Sequence, residues 1–102
     1  MNKVLSMIGL AKKAGKISDG AFLAEKAVRD GTACLLIVAS DASENVRKKF
    51  DNASRHYKID YLEYSTKELL GKCVGSAPIA VMAVCDMGFA GAIEQKYKNE
   101  LK

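Results

Sequence analysis

The sequence predicts an α/β fold: one domain, residues 1–102, built as a three-layer α/β/α sandwich around a mixed, mostly buried sheet. Three observations predict it. The runs Cys34–Ala39 and Ile79–Cys85 are apolar at every position, as a strand covered on both faces reads. Segments of helical spacing alternate with strand-like ones along the whole chain. A length of 102 residues, 49% of them hydrophobic, is enough for one folded domain with one core.

Val4, Met7, Ile8 and Ala11 share one helical face, which places a first helix over about residues 2–14. Lys12 and Lys13 fall in its last turn, where cations suit the negative end of the dipole, and Gly15 can close it in the left-handed conformation. Gly9 in the interior costs about 1 kcal/mol relative to Ala and permits a close helix contact. Lys16–Ser18 is at most a short strand. A second helix runs from about Asp19 to Asp30, capped by Ser18 or Asp19 and ended by Gly31. Its inner face holds Leu23, Ala24, Ala27 and Val28, and its outer face Glu25, Lys26 and Arg29. Phe22 stands among the charged residues, exposed or covered by a loop or a partner chain.

Cys34–Ala39 is the first buried strand. Asp41 and Glu44 have the spacing of a capping box and open a third helix, with Val46, Phe50, Ala53 and Tyr57 inward and Arg47, Lys48, Lys49 and Arg55 outward. Ile59–Tyr64 is mixed in polarity and reads as a strand near the sheet edge. Ser65 with Glu68 opens a short helix through Leu69, Leu70 and Cys73. Gly71, Gly75 and Pro78 make the next segment a loop. Ile79–Cys85 is the second buried strand. Asp86 caps a last helix with Phe89, Ala90, Ile93 and Tyr97 inward, and Lys98–Lys102 fray at its end.

The formal net charge is +4, and its excess lies early: residues 1–33 hold six Lys/Arg against three Asp/Glu, residues 59–102 five against six. That is how a basic face is distributed. Three cysteines without C-x-x-C spacing, each in or beside an apolar segment, read as buried reduced thiols of a cytoplasmic protein. With one His, no metal site is expected, and no apolar run is long enough to span a membrane. Gly9–Lys16 fails as a phosphate loop: five residues separate its glycines, and Ile17 replaces the magnesium-binding hydroxyl. His56 lacks an orienting partner, and no carboxylate pair stands out. No catalytic constellation and no cofactor are therefore expected.

What remains is the stretch Lys12–Arg29. Gly20 puts no side chain beside the second helix's first amides, so a phosphate can approach them, and Lys12, Lys13, Lys16 and Lys26 surround it with positive charge. Ser18 lies at the same helix start, and an exposed Phe22 beside basic residues suits nucleic-acid bases.

Several segments carry a resemblance. They are Gly9-Leu10-Ala11 with Ala14-Gly15-Lys16, Gly20 with Lys26, Ile37–Ser43, Thr66–Gly71 and Val84–Ala90, in order over nearly the whole chain. The ordered set resembles the ribosomal L7Ae/L30e family of kink-turn RNA binders, in particular its bacterial YlxQ-like branch. The resemblance implies the α/β/α sandwich reached above and a non-enzymatic RNA-binding protein associated with ribosomal RNA or translation. It implies RNA contacts from three places: Gly20–Lys26, the loop from Ser40 and Asp41 to Ser43, and Val74–Ile79 with Gly75, Ser76, Ala77 and Pro78. Kink-turn binders typically put Asn-Glu two and three residues after the glycine. Here those positions are Phe22 and Leu23, which cannot read base edges by hydrogen bonds. The alternative is a protein-interaction module on the same fold, with Phe22 at the contact.

Overall fold

Over the described residues, 2–102 of a computed structural model, helices and strands alternate as the periodicity predicts. The elements are α1 (Lys3–Lys13), β1 (Ile17–Asp19), α2 (Ala21–Arg29), β2 (Leu35–Val38), α3 (Glu44–Tyr57), β3 (Asp60–Glu63), α4 (Lys67–Cys73), β4 (Val81–Val84) and α5 (Met87–Glu100). The strands form one mixed sheet in the order β1-β4-β2-β3. β4 is antiparallel to β1 and β2, with Asp19 opposite Met82 and Leu35 opposite Val84, while β2 and β3 are parallel.

The two apolar runs became the central strands, buried at every position. α1, α4 and α5 pack together on one face, and α2 and α3 share the other, where Lys49 Nζ meets Glu25 Oε2 at 2.8 Å. Phe50, Ile8, Leu70, Met82 and Ile93 are among the largest fully buried side chains, each contributing about 1.5–3 kcal/mol by leaving water. β3 is exposed at Asp60 and Glu63, as an edge strand should be. No helix among the described residues is long and apolar enough to cross a membrane.

The ends of elements differ from the sequence reading in ways that matter here. Asp41 lies too far before α3 to cap it; Ser43 Oγ accepts the Val46 N–H at 3.2 Å instead. Thr66, not Ser65, caps α4, because Ser65 has turned into the left-handed region at φ 65°. Gly71 belongs to α4, so the loop after it starts at Val74. On α3, Ser54 turns inward and Tyr57 is 47% exposed, because Lys58 leaves the helix in the left-handed conformation and Ile59 folds back to bond the Ser54 carbonyl. α5 continues through Lys98 to Glu100, whose carboxylate accepts the Tyr64 hydroxyl proton at 2.8 Å. Cys34, Cys73 and Cys85 are free thiols, half-buried rather than buried; Cys34 and Cys85 flank the ends of β2 and β4.

Candidate nucleic-acid interface

Strand ends leave backbone groups that must find partners, and at one end of this sheet they find one another. Parallel β2 and β3 both finish there, and antiparallel β4 begins there. The Ala39 N–H donates to the Ala80 carbonyl at 2.8 Å, and the Ser40 N–H to the Ser65 carbonyl at 2.9 Å. β1 ends beside them, the Gly20 N–H donating to the Val81 carbonyl at 2.9 Å. Asp41 Oδ1 accepts the Lys67 N–H at 2.9 Å, and the Lys67 carbonyl accepts the Ile79 N–H at 3.1 Å. One rim therefore joins the start of α2, the β2–α3 loop, the start of α4 and the segment before β4.

Within that rim the start of α2 is the part least occupied by protein. Asp19 completes β1 and cannot also cap the helix, so the N-cap is Gly20 at φ 92°, ψ 160°, a conformation that glycine adopts at little cost. No side chain caps α2, whereas Asn2, Ser43, Thr66 and Asp86 each cap one of the other described helices. The Ala24 N–H bonds the Gly20 carbonyl, and the amides of Ala21, Phe22 and Leu23 have no protein acceptor among the described residues. The first turn holds no acidic residue, so the positive end of the dipole faces outward unopposed. Phe22 is 76% exposed, the open one of its two alternatives in this chain, and Leu23, expected on the inner face, is 45% exposed beside it.

The predicted cations divide. Lys12 Nζ pairs with Asp19 at 3.1 Å and Lys26 Nζ with Asp30 at 2.8 Å, so both are held by carboxylates near the helix. Lys13 has no acidic partner among the described residues. Lys16 lies at the far end of β1, where its carbonyl accepts the Cys85 N–H; four residues of extended chain put its backbone about 13 Å from Gly20. Ser18 also stands apart, its hydroxyl 3.6 Å from the Cys85 sulfur.

Of the loop residues, Ser40 and Asp41 are exposed on the rim, and Asp41 shapes it by binding the Lys67 amide. Gly75, Ser76, Ala77 and Pro78 are exposed, yet the loop is fastened to α4. The Ser76 N–H donates to the Gly71 carbonyl at 2.8 Å, and a Cβ at Gly71 would overlap the Ala77 carbonyl. Sequence reasoning missed Lys67, which stands where three rim segments meet and has no acidic partner among the described residues. A signal was there, since Thr66–Gly71 is one of the segments that carry the resemblance.

Comparison with known proteins gives the chain's family and its fold relatives. The model of the Ribosomal protein L7Ae/L30e/S12e/Gadd45 family matches residues 2–93. The chain is 34% identical over 87 residues to the RNA-binding protein YlxQ of Bacillus subtilis, covering 85% of this chain and 87% of that one. It is 35% identical over 88 residues to the RNA-binding protein YlxQ of Enterococcus faecium, covering 86% and 84%. Among solved structures, a protein of unknown function from Bacillus halodurans superposes with a TM-score of 0.92 at 30% identity, over 96% of this chain and 99% of that one. The Giardia lamblia 15.5kD RNA binding protein superposes with a TM-score of 0.79 at 21% identity, over 93% and 82%, which shows the shared fold.

Proposed function

Because the chain belongs to the Ribosomal protein L7Ae/L30e/S12e/Gadd45 family, we propose that it is a non-enzymatic RNA-binding protein, its single domain gripping structured, kink-turn-like RNA with the rim around α2. The observation that carries this reading is the open start of α2. Unpartnered amides and an unopposed dipole favour a phosphate there, and Gly20 lets the RNA backbone approach. Lys67 adds positive charge from the rim itself. Phe22 offers a face on which a base can stack, and Leu23 an apolar contact beside it. Neither reads a base edge by hydrogen bonds, so recognition at this point rests on shape and stacking. The two YlxQ proteins that the chain resembles are named as RNA-binding, which supports the partner. The family's description as ribosomal proteins supports a place beside ribosomal RNA or the translation machinery.

The exposed Phe22–Leu23 pair also favours a second reading, a protein-interaction module on the same fold. A salt series separates the two. Binding of a labelled kink-turn hairpin should weaken steeply with salt, log K falling by about 0.7–0.9 per log unit of salt for each phosphate neutralised. Affinity indifferent to salt, or no binding at low salt, would favour the protein partner.

A further inference from the structure

We propose that the groove between α1 and the end of α4 is a second RNA subsite, which receives one unpaired base while Lys13 holds the attached phosphate. The proposal rests on the RNA-binding reading above and extends it beyond the rim.

The groove encloses about 520 Å³. Gly9 lines it without a side chain: a Cβ there would lie 3.1 Å from the Cys73 carbonyl oxygen, so α1 and α4 approach closely. Leu10 lines one wall and is 52% exposed, an apolar surface without a partner in this chain. Val74 and Cys73 line the other. Burial pushes the Cys73 thiol up to about 11, so that wall is uncharged at neutral pH. Among the described residues no carboxylate lines the groove, and Lys12 and Lys13 stand on its edge.

The cleft on the opposite face of the sheet is built differently. Between α2 and α3 lies a smaller space of about 160 Å³, also edged by cations. There Glu25 meets Lys49 at 2.8 Å and Arg29 at 3.5 Å, so the cations already have their anion. Lys13 does not. A free ammonium beside an uncharged, mainly apolar trough fits a ligand with a flat apolar body and an attached anion, and a nucleotide within an RNA strand has that form. The groove also continues the rim at both ends. Val74 and Gly75 open the segment that leads to β4, and Lys12 reaches from the groove edge to Asp19, the residue before Gly20.

The test uses the full chain and two RNA probes. One is a blunt hairpin with a kink-turn internal loop. The other is the same hairpin with a single-stranded tail of 4-thiouridine, and both carry 4-thiouridine at the unpaired position of the loop. Photocrosslinks are mapped by mass spectrometry, and affinities are measured for wild type and Leu10→Ser, with a denaturant melt to establish folding. The tailed probe should crosslink at Leu10 or Cys73 as well as at the start of α2. Its affinity advantage over the blunt probe should fall about fivefold in Leu10→Ser. Crosslinks confined to α2, with the advantage unchanged in Leu10→Ser, would give the groove to another occupant such as an apolar peptide. The subsite would then be overturned and the RNA reading left standing. If neither probe binds, the RNA reading falls and the subsite with it.

Discussion

A helix starts at each end of β4, and the two starts are built in opposite ways. At the end where β4 finishes, Asp86 Oδ2 accepts the Phe89 N–H at 2.8 Å, placing a carboxylate on the N-terminus of α5. At the end where β4 begins, Gly20 leads into α2 and leaves the amides empty. Both starts expose a large apolar residue, Met87 at 82% and Phe22 at 76%. Exposure therefore does not distinguish them. The carboxylate does: it saturates the dipole of α5 and repels a phosphate, while α2 keeps its positive end for an external anion.

The comparison breaks most severely at Gly71. Gly71→Ala forces a methyl against the Ala77 backbone, which should reduce stability by about 2–3 kcal/mol in denaturant melts and displace the loop beside α2. A variant as stable as wild type would show that this loop is not fastened to α4. Next comes Phe22→Ala. It should change stability by less than about 0.5 kcal/mol, since the side chain is exposed, and weaken binding of RNA with an unpaired base by about 1–3 kcal/mol. A large stability loss with unchanged affinity per folded molecule would put Phe22 in a packing role. At the other end of β4, Asp86→Ala should lower stability by about 1 kcal/mol through loss of the cap and leave RNA affinity per folded molecule unaltered. Weaker RNA binding in that variant would erase the distinction between the two starts. The smallest effect belongs to Lys67→Ala, which should reduce the salt slope of RNA binding by about 0.7–0.9 without moving the melt. An unchanged slope would remove Lys67 from the interface.

The two starts also show how far the sequence could be read. The central strands were legible because an apolar residue at every position of a short run has few explanations, and β2 and β4 lie inside the runs. Phe22 was legible as a break in a helical face pattern. Asp86 was legible as a cap because one capping residue stood before that helix. Around Ser43 and Thr66 several neighbours could cap, and spacing alone does not say where the backbone turns. Closeness in sequence to Gly20 could not show that β1 carries the backbone of Lys16 away from it, or that the Ser18 hydroxyl faces the Cys85 sulfur. Lys67 was missed for the converse reason. Its position depends on the carboxylate of Asp41, 26 residues earlier, and no local pattern shows that contact.

The rim gathers backbone from Gly20, Ala39–Asp41, Ser65–Lys67 and Ile79–Val81. Most of these segments are joined across long stretches of chain, and only Lys67 and Ile79 are linked through a single short helix, so closure entropy must be met for the set to assemble. The rim is complete only when β4 lies between β1 and β2. A ligand on the rim is accordingly linked to the global unfolding equilibrium, stabilising the chain by about 2.7 kcal/mol at a hundredfold excess over its Kd. Amide exchange should slow throughout the sheet on binding, well beyond the residues that the ligand touches.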